Sequence, residues 1–266
     1  MPELLGPGDE VLLDDMGAEV VLRRPVGRVV SLVPSLTEAV ATSCPEVLAG
    51  ATDWCTHPPD LDAVRVRGTK NPDLDAVRAL RPDLVLANKE ENREFDVRRL
   101  RESGVPVWVT VIETVPQGLG SLERLFTAAL GRPVPQWLRT ARELWDAPVP
   151  PEAAAVAVPV WRDPWMAVGR STFTGDLLRR AGLRNILADH PERYPHIDAA
   201  VLDRSGADLV LLPDEPYRFG PENGPESFPG TPVELVSGRL LTWYGPSLVE
   251  AHHVLHDLAG RHRRPH

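Results

Sequence analysis

A nine-residue stretch of this chain has a counterpart further along, and that repetition limits the folds open to it. Pro82-Asp83-Leu84-Val85-Leu86-Ala87-Asn88-Lys89-Glu90 is matched by Ala207-Asp208-Leu209-Val210-Leu211-Leu212-Pro213-Asp214-Glu215. A short, continuous apolar run behind an aspartate reads as a strand buried on both faces, the pattern of a parallel sheet. Each copy is followed at nearly equal distance by a second strand signal, Gly104-Val105-Pro106-Val107 and Gly230-Thr231-Pro232-Val233. Two lobes built on one plan are therefore expected.

The flanking sequence fills in that plan. Val29–Leu32, Val47–Ala51, Leu84–Ala87 and Val105–Val111 read as strands, with helices over Asp73–Leu80 and Asn92–Ser103. Ser35-Leu36-Thr37-Glu38 has the spacing of a capping box opening a helix. Strands alternating with helices imply βαβ units. Val115–Leu130 and Pro135–Trp145 read as helices, and Ala153–Val160 as the strand opening the second half. Pro246 sits where a last helix begins, in a first turn that needs no N–H. The expected organisation is an extension over 1–27, an α/β lobe over 28–114, a helical connector over 115–147 and a second α/β lobe over 148–266. A helical connector holds lobes at a nearly fixed separation, unlike a Gly/Ser linker.

Composition narrows the function classes. A formal charge of -9 opposes a nucleic-acid partner, which needs a basic face. The basic run Arg261–His266 reads as a solvated tail, and no apolar stretch is long enough to span a bilayer. Met1–Glu10 lacks the basic start and apolar core of an export leader. On that reading the chain is cytoplasmic, or a leader has been removed. There is no Gly-x-Ser-x-Gly elbow, phosphate loop, His-Glu-x-x-His or Gly-x-Gly-x-x-Gly, which argues against an enzyme. Nothing calls for a cofactor, and a monomer is expected.

Ligands of open parallel sheets bind beyond the carboxyl ends of the strands. The loops predicted there carry Trp54, Trp161, Trp165, Tyr194, Tyr217, Trp243 and Tyr244, although aromatics make up 6% of the chain. A large ring on a loop either plugs a core or presents a flat wall to a ligand. Ser35, Thr69, Lys89 and Glu90 lie on the same loops and complete the candidate binding set. Cys55 and His57, two apart, are candidate ligands for zinc or cobalt together with Glu90 and His190 or His196; a buried thiol beside a solvated imidazole is the competing reading. His252, His253 and His256 read as an exposed helix face.

Arg28-Val29-Val30-Ser31-Leu32-Val33-Pro34-Ser35-Leu36-Thr37-Glu38, preceded by Asp14-Asp15-Met16-Gly17, resembles the substrate-binding proteins of ABC importers for cobalamin, ferric siderophores and haem. Gly50–Pro59, Gly68–Leu74, Pro82–Ala87 and Gly104–Trp108 follow in that family's order, and the resemblance runs over roughly 12–260. The Asp53-Trp54 to Pro58-Pro59 loop is most similar to the cobalamin-binding branch. The resemblance implies two Rossmann-like lobes on a rigid helical connector, the class III periplasmic-binding-protein architecture, with a metal chelate, cobalamin or a relative of it, held in the cleft between the lobes. It further implies that Trp54 stacks on the ligand, that Tyr194 is an aromatic of the second lobe, and that the protein docks on an ABC permease outside the cytoplasm. Docking glutamates of the family correspond here to Asp75 and Ala200, and the connector after Pro135 is short. Direct binding of a transition-metal ion, and a cytoplasmic enzyme or carrier on the same scaffold, are the alternative functions.

Overall fold

The computed structural model describes residues 8–263. Residues 1–7 and 264–266, which include most of the stretch read for a leader and the end of the Arg261–His266 run, lie outside the described residues. The chain clusters into two compact units. The first takes residues through Ile112, Gln117–Arg139 and Tyr244–Pro246; the second takes Glu113–Pro116, Thr140–Trp243 and Ser247 onward.

The first unit begins with an antiparallel hairpin, β1 (Asp9–Leu13) and β2 (Glu19–Arg23). Its sheet comprises β3 (Val29–Ser31), β4 (Leu48–Ala51), β5 (Val64–Arg65), β6 (Leu84–Asn88) and β7 (Val107–Thr110). The order is β5-β4-β3-β6-β7, all parallel. Helices α1 (Pro34–Ser43), α2 (Leu74–Ala79) and α3 (Glu94–Glu102) supply crossovers. Leu84, Val85 and Leu86 are wholly buried, as a sheet covered on both faces requires. Burial of such a side chain stabilises the fold by about 1.5–3 kcal/mol before entropy is counted.

The second unit repeats the arrangement with β8 (Ala154–Ala157), β9 (Leu183–Asn185), β10 (Leu209–Pro213) and β11 (Val233–Val236) in the order β9-β8-β10-β11, again parallel. The repeated sequence stretch therefore occupies equivalent places: β6 lies beside β3 and β10 beside β8, each next to the strand that opens its sheet. Its aspartates do equivalent work. Asp83 donates its N–H to the Arg28 carbonyl at 2.8 Å, and its Oδ2 accepts from the N–H groups of Gly27 and Arg28, both at 2.8 Å. Asp208 donates to the Ala155 carbonyl at 2.8 Å and its Oδ2 accepts from the Ala155 N–H at 2.7 Å. Each carboxylate fixes the register of its strand against the first one.

Several expectations change in detail. Ser35 and Glu38 form no capping box: Val33 is the N-cap of α1, Pro34 fills the first turn, and Ser35 and Glu38 are buried within the helix. Pro34 takes the first helical position, where its missing N–H needs no partner, so the N-cap lies two residues before Ser35. Real side-chain caps occur elsewhere, at Asp73 before α2 and at Thr172 before α6 (Phe173–Arg180), whose oxygens accept from Ala76 and Gly175. The strand expected over Ala153–Val160 divides. Ala154–Ala157 stays in the sheet, while Pro159–Trp161 turns to pair antiparallel with Met166–Ala167, since Pro159 cannot donate to a ladder.

The hairpin, read from sequence only as an extension, is held in the first unit by two adjacent carboxylates. Asp14 accepts from Arg101 Nη2 at 2.6 Å and from the Val109 N–H at 3.2 Å, and also from the N–H groups of Met16 and Ala18 at 2.9 Å. Asp15 accepts from Arg124 Nη1 at 2.6 Å, the Val111 N–H at 3.2 Å and the Ser121 hydroxyl.

The stretch expected as a connector contains α4 (Val115–Arg124), a π-helical turn over Leu125–Ala129, and α5 (Gln136–Trp145). Residues 117–139 cluster with the first unit and 140 onward with the second. Leu122, Leu125 and Phe126 are fully buried, and Trp137 Nε1 donates to Ser43 Oγ at 2.9 Å. The remaining helices are α7 (Ala199–Asp203), α8 (Gly238–Thr242) and α9 (Ser247–Arg261), the last starting just after Pro246.

Candidate functional site

In the first unit the strand order reverses between β3 and β6, which is where open α/β sheets leave a crevice for ligands. The loop after β6 is built around two asparagines. Asn88 Oδ1 accepts from the N–H groups of Glu90 at 2.8 Å and Glu91 at 3.3 Å, while its Nδ2 donates to Thr110 Oγ1 at 3.1 Å. Asn92 Oδ1 accepts the Asn88 N–H at 2.8 Å, and its Nδ2 donates to the carbonyls of Leu32 and Thr69 at 3.2 and 3.0 Å. Both amides are buried, so the loop is fixed from beneath and leaves Lys89 and Glu90 exposed on top. Lys70 Nζ donates to the Glu90 carbonyl at 2.5 Å. The Asn-x-x-x-Asn spacing is the sequence signal for this support.

Trp54 stands on the loop after β4 with 66% of its surface exposed. A Cβ on Gly68 would lie 3.2 Å from its Nε1, so the ring rests against a residue that offers no side chain. The other candidates of this unit are less open. Ser35 is 2% exposed, and Thr69 is half-buried with its carbonyl engaged by Asn92. Tyr244 is 5% exposed and donates its hydroxyl to Glu91 Oε1 at 2.9 Å. Burial, and after it the Glu91 carboxylate, holds the Tyr244 hydroxyl pKa well above the usual phenol value.

Cys55 and His57, the candidate metal pair, differ in burial. Cys55 is fully buried, with Sγ 3.0 Å from Thr37 Oγ1 and 3.2 Å from Thr52 Oγ1, and burial pushes its thiol pKa up. His57 is half-buried beside Thr56 Oγ1 at 3.2 Å. No three His, Cys, Asp or Glu side chains converge among the described residues. A buried thiol with a raised pKa is the environment of an inert, structural cysteine.

In the second unit the rings sort into one exposed wall and a packed cluster. Trp161 is 43% exposed and meets Tyr217 edge-on at 5.6 Å. Tyr217 sits 4.6 Å from Phe219, and Trp165 stacks on Phe219 at 5.6 Å and meets Phe228 edge-on at 5.4 Å. Phe219 and Phe228 are core residues, so Trp165 and Tyr217 close the end of that core. Arg162 lies 5.5 Å above Trp165 and donates to Asn223 at 2.8 Å and Glu226 at 2.5 Å. Trp243 is 6% exposed and Tyr194 half-buried.

This unit also contains a cavity of about 470 Å³, lined by Thr114, Pro150, Arg170, Asp176, Leu183 and Asn185 among others. Burial would raise the Asp176 pKa, but hydrogen bonds from Arg179, the Val115 N–H and Arg180 hold it below the usual range. The cavity has the size of a small-molecule site, and several of its lining charges are paired: Arg179 with Asp176, Arg184 with Glu152, and Glu113 with Arg193. Such walls can bind a small molecule.

No protein-family model matches the chain. Its sequence is 24% identical over 201 residues to a vitamin B12-binding protein of Pectobacterium carotovorum, covering 72% of this chain and 73% of that one. It is 25% identical over 218 residues to YvrC, an uncharacterised ABC transporter substrate-binding lipoprotein of Bacillus subtilis, covering 77% and 69%. A periplasmic haem-binding protein from Pseudomonas aeruginosa superposes with a TM-score of 0.73 at 22% identity, covering 91% of this chain and 95% of that one.

Proposed function

We infer, from a chain that has the class III periplasmic-binding-protein fold and sequence kinship with ABC-importer substrate-binding proteins, that it captures a metal chelate reversibly and hands it to an importer. A corrinoid is the favoured ligand, and the site of action is then the outer side of the cytoplasmic membrane. The observation that carries this reading is Trp54, a ring 66% exposed on a loop at the carboxyl end of a parallel sheet. An exposed indole offers a flat apolar face that a ring-shaped ligand can cover. The loop between Asn88 and Asn92, held from below by both amides, presents Lys89 and Glu90 at the carboxyl end of the same sheet without needing to reorganise on binding. Relatives named for vitamin B12 and for haem support a tetrapyrrole-like ligand in general.

The test is titration of the purified protein with cyanocobalamin, haemin and a ferric siderophore, followed by tryptophan quenching and calorimetry. Micromolar or tighter binding of cyanocobalamin is expected. Trp54→Ala should weaken it at least about tenfold, as loss of an aromatic anchor does, with the thermal midpoint unchanged. Preference for haemin or the siderophore would reassign the ligand within the class. Failure of all three to bind would end the proposal.

A further inference from the structure

Helix α9 carries three histidines that ligand capture does not use. His252 and His256 are one turn apart, and their rings stack with centroids 4.0 Å apart and planes inclined by 30°. His256 Nδ1 lies 2.8 Å from the His252 carbonyl; the carbonyl can only accept, so Nδ1 carries the proton and Nε2 keeps its lone pair. His252 Nδ1 is buried with no hydrogen-bond partner. Behind them stands Trp145, meeting His252 edge-on at 5.1 Å and His256 at 6.1 Å. Its own Nε1 is committed to the Leu248 carbonyl at 2.9 Å, so neither ring is bonded to it.

A pair of imidazoles that is stacked face to face repels when both are protonated, and an unpartnered ring nitrogen in a buried place is costly. Neither feature helps the fold. The stacked pair stands at i and i+4, the spacing with which helices chelate transition metals; the buried Nδ1 of His252 is closed to solvent, so the donor this ring can offer a hydrated ion is Nε2. We propose that His252 and His256 form a surface site for a divalent transition-metal ion, with water completing the coordination shell. No further His, Cys, Asp or Glu joins the pair to make a three-residue cluster among the described residues, so the site is an open, exchangeable one. Imidazole donors with no thiolate favour copper(II) over nickel(II) and zinc.

The site belongs to the second unit alone and is independent of the proposed chelate binding, so either reading can fail without the other. The experiment uses the untagged full chain, stripped with a chelator, and titrates it with copper(II) alone. One ion per chain with a micromolar dissociation constant is expected, together with quenching of Trp145, because paramagnetic copper would sit beside its ring. His252→Ala and His256→Gln should each weaken binding at least about tenfold, since even outer-shell changes cost 10–100-fold. His253→Ala should leave it unchanged. Trp145→Phe should retain calorimetric binding and lose the corresponding quenching, a readout that refolding defects cannot imitate. His256→Gln lies at a half-exposed position and keeps the test valid should His252→Ala disturb packing. Copper binding unaffected by either substitution, or absent from the wild type, overturns the proposal. So does an equal loss on changing His253.

Discussion

Asp14 offers the most direct test of how the first unit is assembled. Its side chain is fully buried and accepts from Arg101, which is 32% exposed, and from three backbone N–H groups. Asp14→Ala removes all four bonds, but their costs differ. The buried Val109 N–H loses a partner water cannot replace, about 1–3 kcal/mol. The N–H groups of Met16 and Ala18 are only partly buried and rehydrate, at roughly 0.5 kcal/mol each. Arg101 turns its partly exposed guanidinium to solvent, which places the total near about 3 kcal/mol, the lower edge of the range for breaking a buried pair. Asp14→Asn keeps an acceptor for the turn and loses only the charge, at about 1–2 kcal/mol. Urea unfolding followed by exposure of the buried Trp108 should show these shifts in midpoint with little change in slope. A loss below about 1 kcal/mol for Asp14→Ala would refute the argument that this carboxylate fastens the hairpin.

Gly238→Ala should destabilise the second unit by about 2 kcal/mol or more, read as a drop in thermal midpoint, because a Cβ there would lie 2.5 Å from the Glu215 carbonyl oxygen and 2.9 Å from its nitrogen. Cys44, whose pKa burial raises to about 11, and Cys55 should both react slowly with a thiol reagent at neutral pH and rapidly in denaturant; fast native reaction of Cys55 would contradict its burial against Thr37 and Thr52. Because Tyr244 has a folded-state pKa above its unfolded value, its contribution is complete below about pH 10. That contribution disappears as pH rises further, so Tyr244→Phe should flatten the alkaline loss of stability measured by denaturant titration at successive pH values.

The repeated stretch was the most legible part of the chain because two copies of one strand, each with its aspartate, must make the same backbone contacts. The hairpin was not legible: Asp14 and Asp15 act on Arg101, Val109, Ser121 and Arg124, nearly a hundred residues or more away, and no local pattern reports such a partner. The candidate rings show a different limit. Sequence places Trp54 and Trp243 on loops, yet one is 66% exposed and the other 6%. Which way a loop ring turns depends on whether a core end is left open for it, as Phe219 and Phe228 leave one for Trp165. Ser35 was misread for a similar reason, since Pro34 decides where its helix starts.

Tyr244–Pro246 belongs to the first unit although residues on both sides of it belong to the second. No single cut can then release either half intact. A fragment ending near residue 147 would leave the Glu91 carboxylate without its phenol and open the space at the Ser35 carbonyl, which lies 3.0 Å from where a Cβ on Gly245 would be. The complementary fragment would carry Tyr244 with no acceptor for its hydroxyl. Dissection by truncation should yield two poorly folded pieces, whereas mixing them, or fusing residues 244–246 back onto the first, should restore order.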